Sequence, residues 1–260
     1  MASTYLFLCL AAMLAGAINS VAGGGTLLTF PSLTAVFSAL ADGDVRANAT
    51  STVALWPASM AALWGYREEF RRVPRWSLWL AVPSLVGGII GSLLVIAYPN
   101  TFKTLVPWLI LTAAILFTLQ PYIARWFGIG SAHHTSRGSS IAVFGFQLLV
   151  AIYGGYFGAG IGILMLTALG LLGLSDIHEM NALKNLLGSL INGVSVVIFI
   201  VSGKVEWNYA LAMMVASMIG GYGCALVAKK LDRRIVRALV ISIAFVLATV
   251  YFYRQFGAHT

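Results

Sequence analysis

The sequence predicts an all-α integral membrane protein with about 8–10 membrane helical segments. Of its 260 residues, 60% are hydrophobic and only 9% are charged, whereas about a quarter of the residues of a soluble domain are charged. The apolar residues form runs of roughly 15 to 25, close to the length with which a helix spans the bilayer core. These runs lack the apolar and polar alternation of a barrel strand, so helices are the predicted spanning elements.

Ten apolar segments follow one another along the chain, five before and five after a polar stretch. They cover residues 4–22, 26–40, 45–66, 76–98 and 102–127, then 139–157, 163–174, 180–201, 207–228 and 235–256. The first resembles a signal peptide, but no Lys or Arg precedes its apolar part, so we expect it to stay as a membrane helix. The second is short for a crossing, since its helix would be only about 22 Å long. The stretch 128–138 is predicted to be a cytoplasmic linker between two transmembrane repeats, residues 1–127 and 139–260.

The second five segments repeat the first five. Four places correspond at nearly constant offsets, and these are 22–27 with 159–164, Asn48-Ala49 with Asn181-Ala182, Trp76 with Trp207, and 86–88 with 219–221. Internal repeats of this size are a known construction of secondary transporters.

The distribution of basic residues indicates that the two repeats are inverted. If each repeat opens with a helical hairpin that returns to its starting side, 12 of the 16 Lys and Arg residues fall on one face. The other face then holds only Arg46, Lys103, Lys204 and Arg254. If each hairpin instead made one net crossing, the split would be 8 against 8. Because cytoplasmic loops carry an excess of Lys and Arg, we predict two inverted-topology repeats with both termini periplasmic.

Glycines interrupt each of these hairpins. Gly23, Gly24 and Gly25 are adjacent in the first, and glycines that include Gly160 and Gly162 recur in the second. A glycine inside a helix costs about 1 kcal/mol relative to alanine, so several together break the helix. The helix that follows the break presents the positive end of its dipole, which favours a bound anion. The alternative is that these glycines only allow close helix packing.

The third helix of each repeat carries polar side chains inside an apolar segment. Asn48 and Thr52 lie near its start in the first repeat, and Lys184 and Asn185 belong to a polar stripe in the second. Intramembrane polar side chains usually face the bundle interior or a water-filled cavity. Lys184 is therefore the predicted partner of a substrate anion, and Asn19, just before the first break, is a weaker candidate. The alternative for Lys184 is a side chain that extends to the nearby membrane interface.

The residues that a metal site or an enzyme active site would need are either missing or lie outside the apolar segments. All eight carboxylates lie in loops or at helix ends, and the two cysteines have no neighbouring cysteine and no metal-ligand spacing. We therefore expect no cofactor, no metal site and no enzyme activity. The net charge of +8 is concentrated in a few loops, where membrane orientation explains it, so we expect no nucleic acid partner.

Residues 16–33, with the glycine run at their centre and Pro31-Ser32-Leu33 at their end, resemble the signature of the sulfite exporter TauE/SafE family. An echo at residues 154–169 strengthens the resemblance, which covers the whole chain. In this echo Ile161 replaces a family glycine and Ala168 a family proline, so we expect a less sharply broken second hairpin. The resemblance implies transport of small sulfur-containing anions, such as sulfite and organosulfonates, across the bacterial inner membrane. It also implies that the glycine elements line the substrate site.

We therefore predict a multi-pass secondary transporter that moves a small anion by alternating access. Its expected partners are a small anionic solute and the lipid bilayer, and the sequence leaves a homo-oligomer open. A passive anion channel is an alternative, because gating leaves no sequence motif. A membrane-embedded redox enzyme is a weaker alternative, since the paired cysteines or intramembrane carboxylates that it needs are missing.

Overall fold

A computed structural model of the protein describes residues 2–21, 24–126, 139–171, 174, 176–227 and 233–256, which form helices joined by short loops. The long helices are α1 (Ala2–Val21), α2 (Thr26–Val36), α3 (Gly43–Gly65), α4 (Ala81–Ala97), α5 (Pro99–Trp126), α6 (Ser139–Tyr156), α7 (Ile161–Leu171), α8 (Ile177–Val201), α9 (Trp207–Val227) and α10 (Arg233–Phe256). One helical turn, Arg67–Phe70, and a 3-10 helix, Arg75–Leu80, precede α4. The all-α fold class is confirmed, while the predicted linker 128–138 lies outside the described residues.

The helices have the lengths and surfaces of a membrane protein. Four stretches among the described residues are long and apolar enough to cross a bilayer, and these are Ala2–Asn19, Arg75–Ala97, Pro99–Leu119 and His178–Val201. Large apolar side chains also face outward, for example Trp79 at 66% and Val201 at 82% exposure. Lipid accepts such a surface at no cost, whereas water does not. The chain is therefore a multi-pass membrane protein.

Helices α1 and α2 form a hairpin. The ring of Tyr5, near the beginning of α1, lies 5.1 Å from the ring of Tyr209. The ring of Phe37, just after α2, lies 5.7 Å from that same ring. Because the start of α1 and the end of α2 meet one residue, this unit returns to the end of the molecule from which it began.

The contacts between helices correspond across the two halves. Helix α1 packs along α9 as α6 packs along α4, and α3 packs on α9 as α8 packs on α4. Helices α3 and α8 run in opposite directions. The residue before α3, Asp42, contacts Lys204 after the end of α8, whereas Trp56 far along α3 bonds to Ser189 within α8. Opposed third helices are what inverted repeats require, and the inversion of the complete halves stays a prediction.

Glycines allow the closest of these helix contacts. A Cβ atom at Gly220 in α9 would overlap the carbonyl of Met13 in α1, and one at Gly91 in α4 would overlap the carbonyl of Ile152 in α6. The two equivalent interfaces therefore depend on small residues, as is usual between membrane helices. Gly145, by contrast, has no atom near the place of a Cβ.

An ion cluster closes one end of the bundle and consists of Asp42, Arg46, Lys204 and Glu206. Arg46 Nε lies 2.9 Å from Asp42 Oδ1, and Lys204 Nζ lies 2.8 Å from Asp42 Oδ2. Arg46 also pairs with Glu206. The cluster ties the loop before α3 to the loop after α8, so it joins the two halves at this end.

The ion cluster should make stability depend on pH. The hydrogen bond from Lys204, helped by the one from Arg46 and opposed by burial, lowers the pKa of Asp42 below its ordinary value of 3.8. A carboxyl with a lowered folded-state pKa stabilises the fold above its unfolded pKa, and this stabilisation is lost as pH falls through the folded value. Asp42→Asn should therefore lower the melting temperature at about pH 7 by a few degrees and change it little at about pH 3.

Thermal unfolding of detergent-purified protein over this pH range measures the effect. Glu68→Gln is the control, because Glu68 is an exposed carboxylate at the opposite end of α3 and outside the cluster. A difference between Asp42→Asn and the unmodified protein that stays constant with pH would contradict the assignment.

Candidate functional site

A polar cavity of about 100 Å³ lies among the end of α1, the beginnings of α2 and α7, and the middles of α3 and α8. This space is called the glycine cavity here. Most of the predicted site residues line it, and these are Asn19, Gly24, Thr52, Gly160, Gly162, Lys184 and Asn185. The chain therefore brings together residues from both repeats that are separated by more than a hundred positions.

Both helix breaks at the glycine cavity depend on left-handed backbone. Gly24 has φ of 110°, and Gly158 and Gly160 have φ of 81° and 80°. Side chains with a Cβ rarely adopt these values, so glycine is needed at each position. Two left-handed glycines turn the chain just before Ile161, so the second break forms although Ile161 and Ala168 depart from the family pattern, and its sharpness relative to the first break stays a prediction. Helix α7, which follows the second break, has the same length as α2, 11 residues.

Lys184 supplies positive charge to the glycine cavity. It is the only charged side chain among the described residues that line the cavity. Its Nζ donates a hydrogen bond to Asn181 Oδ1 at 3.0 Å, one turn earlier on α8. Its methylene groups lie against the start of α7, where a Cβ at Gly162 would be 3.3 Å from Lys184 Cδ. The lysine is therefore part of the cavity wall, and its contact with a substrate anion stays a prediction.

Helix starts add to this positive potential. The first residue of α2, Thr26, and the first two of α7, Ile161 and Gly162, all line the glycine cavity. The helix dipole places about half a positive charge at a helix start. Here the NH groups of Leu27, Leu28 and Ile161 already bond to carbonyls of the preceding glycine turns, so the dipole is the main contribution. Lys184 and two helix starts thus face one space that no described carboxylate lines.

Neutral polar groups complete the wall on α3 and α8. Asn19 Nδ2 donates to Ser59 Oγ at 3.4 Å, and Trp56 Nε1 donates to the carbonyl of Ser189 at 3.1 Å. Ser59 was not among the residues singled out from the sequence. Its signal was present, because Thr52, Leu55 and Ser59 follow one another at the three- and four-residue spacing of one helix face.

Three predicted residues do not line the glycine cavity as described. Gly25 is buried where a Cβ would overlap the carbonyl of Ala15, so it serves the close packing of α1 on α2 that was the alternative for these glycines. Asn48 is buried, and its Nδ2 donates to the carbonyl of Tyr156 at 3.2 Å, which holds the end of α6 just before the second break. Gly23 lies outside the described residues.

The geometry suits a small anion. The cavity volume of about 100 Å³ is ample for several water molecules. A solute of a few non-hydrogen atoms fits this space, with an oxyanion group facing Lys184 and the helix starts. The side-chain amides of Asn19 and Asn185 can donate to the remaining oxygens, whereas the Thr52 hydroxyl already donates to the carbonyl of Asn48 at 2.8 Å.

The sequence profile of the family described as Sulfite exporter TauE/SafE matches residues 8–251. The chain is also similar to proteins described as probable membrane transporters. It is 28% identical to YfcA of Escherichia coli strain K12 over 251 residues, which are 95% of this chain and 88% of that protein. It is 28% identical to a probable membrane transporter protein of Haemophilus influenzae, with 93% and 92% of the two chains covered. No solved structure is a significant match.

Proposed function

This chain belongs to the sulfite exporter TauE/SafE family of membrane transporters, and from that premise we propose that it carries a small sulfur-containing anion, such as sulfite or an organosulfonate. The single observation that carries the proposal is the position of Lys184 between two broken helices in a cavity of small volume. A sulfite or sulfonate group has three oxygens and needs several donors around it. Lys184, two helix starts and the nearby amides supply them.

The proposed mechanism is alternating access. Contacts that correspond between the two halves support it, since movement of one half against the other would expose the glycine cavity to each side in turn. The protein would lie in the bacterial inner membrane with both termini periplasmic. The positive-inside distribution of Lys and Arg supports this orientation.

Anion uptake into proteoliposomes that contain the purified protein tests the proposal. Radiolabelled sulfite and methanesulfonate should enter with saturable kinetics, and preloading the vesicles with the same unlabelled anion should accelerate entry. Acetate and phosphate are the comparison anions, because they differ from a sulfonate in shape or charge. A flux that never saturates and does not respond to preloading would identify the passive channel instead, and the absence of any anion flux would reject the proposal.

A further inference from the structure

A second cavity of about 400 Å³ lies at the end of the bundle that carries the ion cluster. It is lined by the end of α2, the start of α3, the start of α5 and the end of α10. Its polar groups include the hydroxyls of Thr34 and Tyr251, the carboxylate of Asp44 and the cations of Lys103 and Arg254. Nothing in the proposed function uses this space.

The two cavities lie at opposite ends of one short helix. Thr26 at the start of α2 lines the glycine cavity, and Thr34, eight residues later, lines the second cavity. Eight residues of helix span about 12 Å. An anion that leaves the glycine cavity along α2 therefore reaches the second cavity within roughly two helical turns.

Phe30 separates the two cavities. This side chain lies midway along α2 and is fully buried. Its ring packs edge-on against Phe157, which lines the glycine cavity, at a centroid distance of 5.3 Å. It stacks on Tyr251, which lines the second cavity, at a centroid distance of 6.4 Å. One buried apolar ring thus contacts a wall residue of each cavity.

The second cavity has an excess of positive charge. Lys103 and Arg254 are exposed, and neither forms an ion pair within the part of the chain that the structure describes. Arg46 and Lys204, the other two basic residues at this end, are neutralised in the ion cluster. Asp44 is the single carboxylate on the cavity wall, so two cations face one anion. A concave surface of this kind raises the local concentration of anions.

We propose that the second cavity is a waiting site, in which the transported anion binds with its hydration shell before or after passage, and that Phe30 is the barrier between this site and the glycine cavity. The proposal rests on the proposed anion transport. The larger volume and the exposed cations fit a hydrated ion, whereas the smaller glycine cavity fits the same ion after it has lost water.

Charge-selective modification of a cysteine in the second cavity tests the site without depending on flux. Ser38→Cys is introduced into protein in which Cys9 and Cys224 are replaced by serine. Relative to its rate with a free thiol in solution, a methanethiosulfonate reagent with a sulfonate group should react faster than one with a trimethylammonium group. Lys103→Gln combined with Arg254→Gln should lower this rate ratio about tenfold, as expected for two screened charges a few ångströms from the thiol. Methanesulfonate should slow the modification only when both cations are present.

Two controls show whether the effect comes from the cations of the second cavity, from positive charge elsewhere on the protein, or from a bound lipid. Arg71→Gln with Arg75→Gln removes the same charge beyond the opposite end of α3 and should leave the ratio unchanged. Vesicles of phosphatidylcholine alone should give the same protection by methanesulfonate as vesicles that contain phosphatidylglycerol. A ratio unaffected by loss of Lys103 and Arg254 would overturn the site, and protection lost specifically in phosphatidylglycerol vesicles would show that a lipid headgroup occupies it instead.

The barrier has its own measurement. Phe30→Leu, and Phe30→Ala where it folds, should let methanesulfonate leak from preloaded vesicles without an exchange anion, and a melting curve identifies variants that keep the fold. Vesicles that do not leak although they contain folded Phe30→Ala or Phe30→Leu protein would overturn the barrier.

The cysteine test also distinguishes the waiting site from the proposed transport. If methanesulfonate protects Ser38→Cys but the protein shows no anion transport, the proposed transport is rejected and the anion site stands. If the protein transports the anion but methanesulfonate gives no protection, only the waiting site is rejected.

Discussion

Replacing Lys184 with glutamine should lower anion uptake into proteoliposomes roughly 10- to 100-fold at subsaturating anion. A hydrogen bond to a charged group contributes about 1.5–3 kcal/mol, and each 1.4 kcal/mol is about a factor of ten. Lys184 is the only charged side chain on the described wall of the glycine cavity, so no other wall residue compensates for it. The effect should appear mainly as a higher half-saturating concentration, with saturation recovered at high anion.

Two further variants isolate the charge. Lys184→Arg keeps the positive charge and should retain more uptake than Lys184→Gln, although its planar head bonds to Asn181 differently. Lys204→Gln removes a lysine from the ion cluster, which lies outside the glycine cavity, and should leave uptake within about twofold. Full uptake by Lys184→Gln would mean that the anion follows another route through the bundle.

Replacing Gly162 with leucine should abolish measurable anion uptake while the protein stays folded. The new side chain would begin 3.3 Å from Lys184 Cδ, so it would displace the lysine and occupy much of a cavity of about 100 Å³. Gly162 lies within helix α7 and lacks the left-handed backbone of Gly24, Gly158 and Gly160. Leucine is a better helix former than glycine, so the backbone should tolerate the change.

The comparison between two glycine variants distinguishes blocking from unfolding. Gly145→Leu adds the same side chain to α6 at a position with open space around it, and it should change neither uptake nor melting temperature. Gly162→Leu should resemble it in melting temperature and differ in uptake. A normal flux through Gly162→Leu protein, measured with methanesulfonate, would remove the start of α7 from the substrate site.

Much of the fold could be predicted from the sequence because membrane helices leave a local signal. The ten apolar runs correspond to ten helices in the part of the chain that the structure describes, and the helix ends differ from the predicted ends by only a few residues. Helix α8 begins at Ile177, three residues before the predicted start, because Asp176 caps it by accepting hydrogen bonds from the backbone NH groups of His178 and Glu179. Helix α2 ends at Val36 rather than residue 40, so it is shorter than the apolar run that predicts it.

The chemical character of the candidate site could be predicted from the sequence, but which residues line it could be predicted only in part. Lys184 and the glycines stood out because a charge and a run of glycines are unusual inside an apolar helix. The separate roles of Gly25 and Gly24 could not be predicted from the sequence. Two adjacent glycines differ only in which atoms of other helices pack against them. A Cβ at Gly25 would meet the backbone of α1, whereas one at Gly24 would meet the ring of Phe117, and Gly24 lines the glycine cavity.

The sequence by itself determined that the protein lies in a membrane, where its helices run, where two of them break, and which cation is out of place in an apolar segment. These properties depend on composition and on spacing along one helix. Only the tertiary structure decided that α3 and α8 cross in opposite directions, that Asn48 braces a break while Ser59 lines the cavity, and that Phe30 stands between two cavities. The physical reason is that a cavity wall is assembled from helices that are distant in the chain, and the packing that selects their facing sides leaves no periodic trace in any one of them.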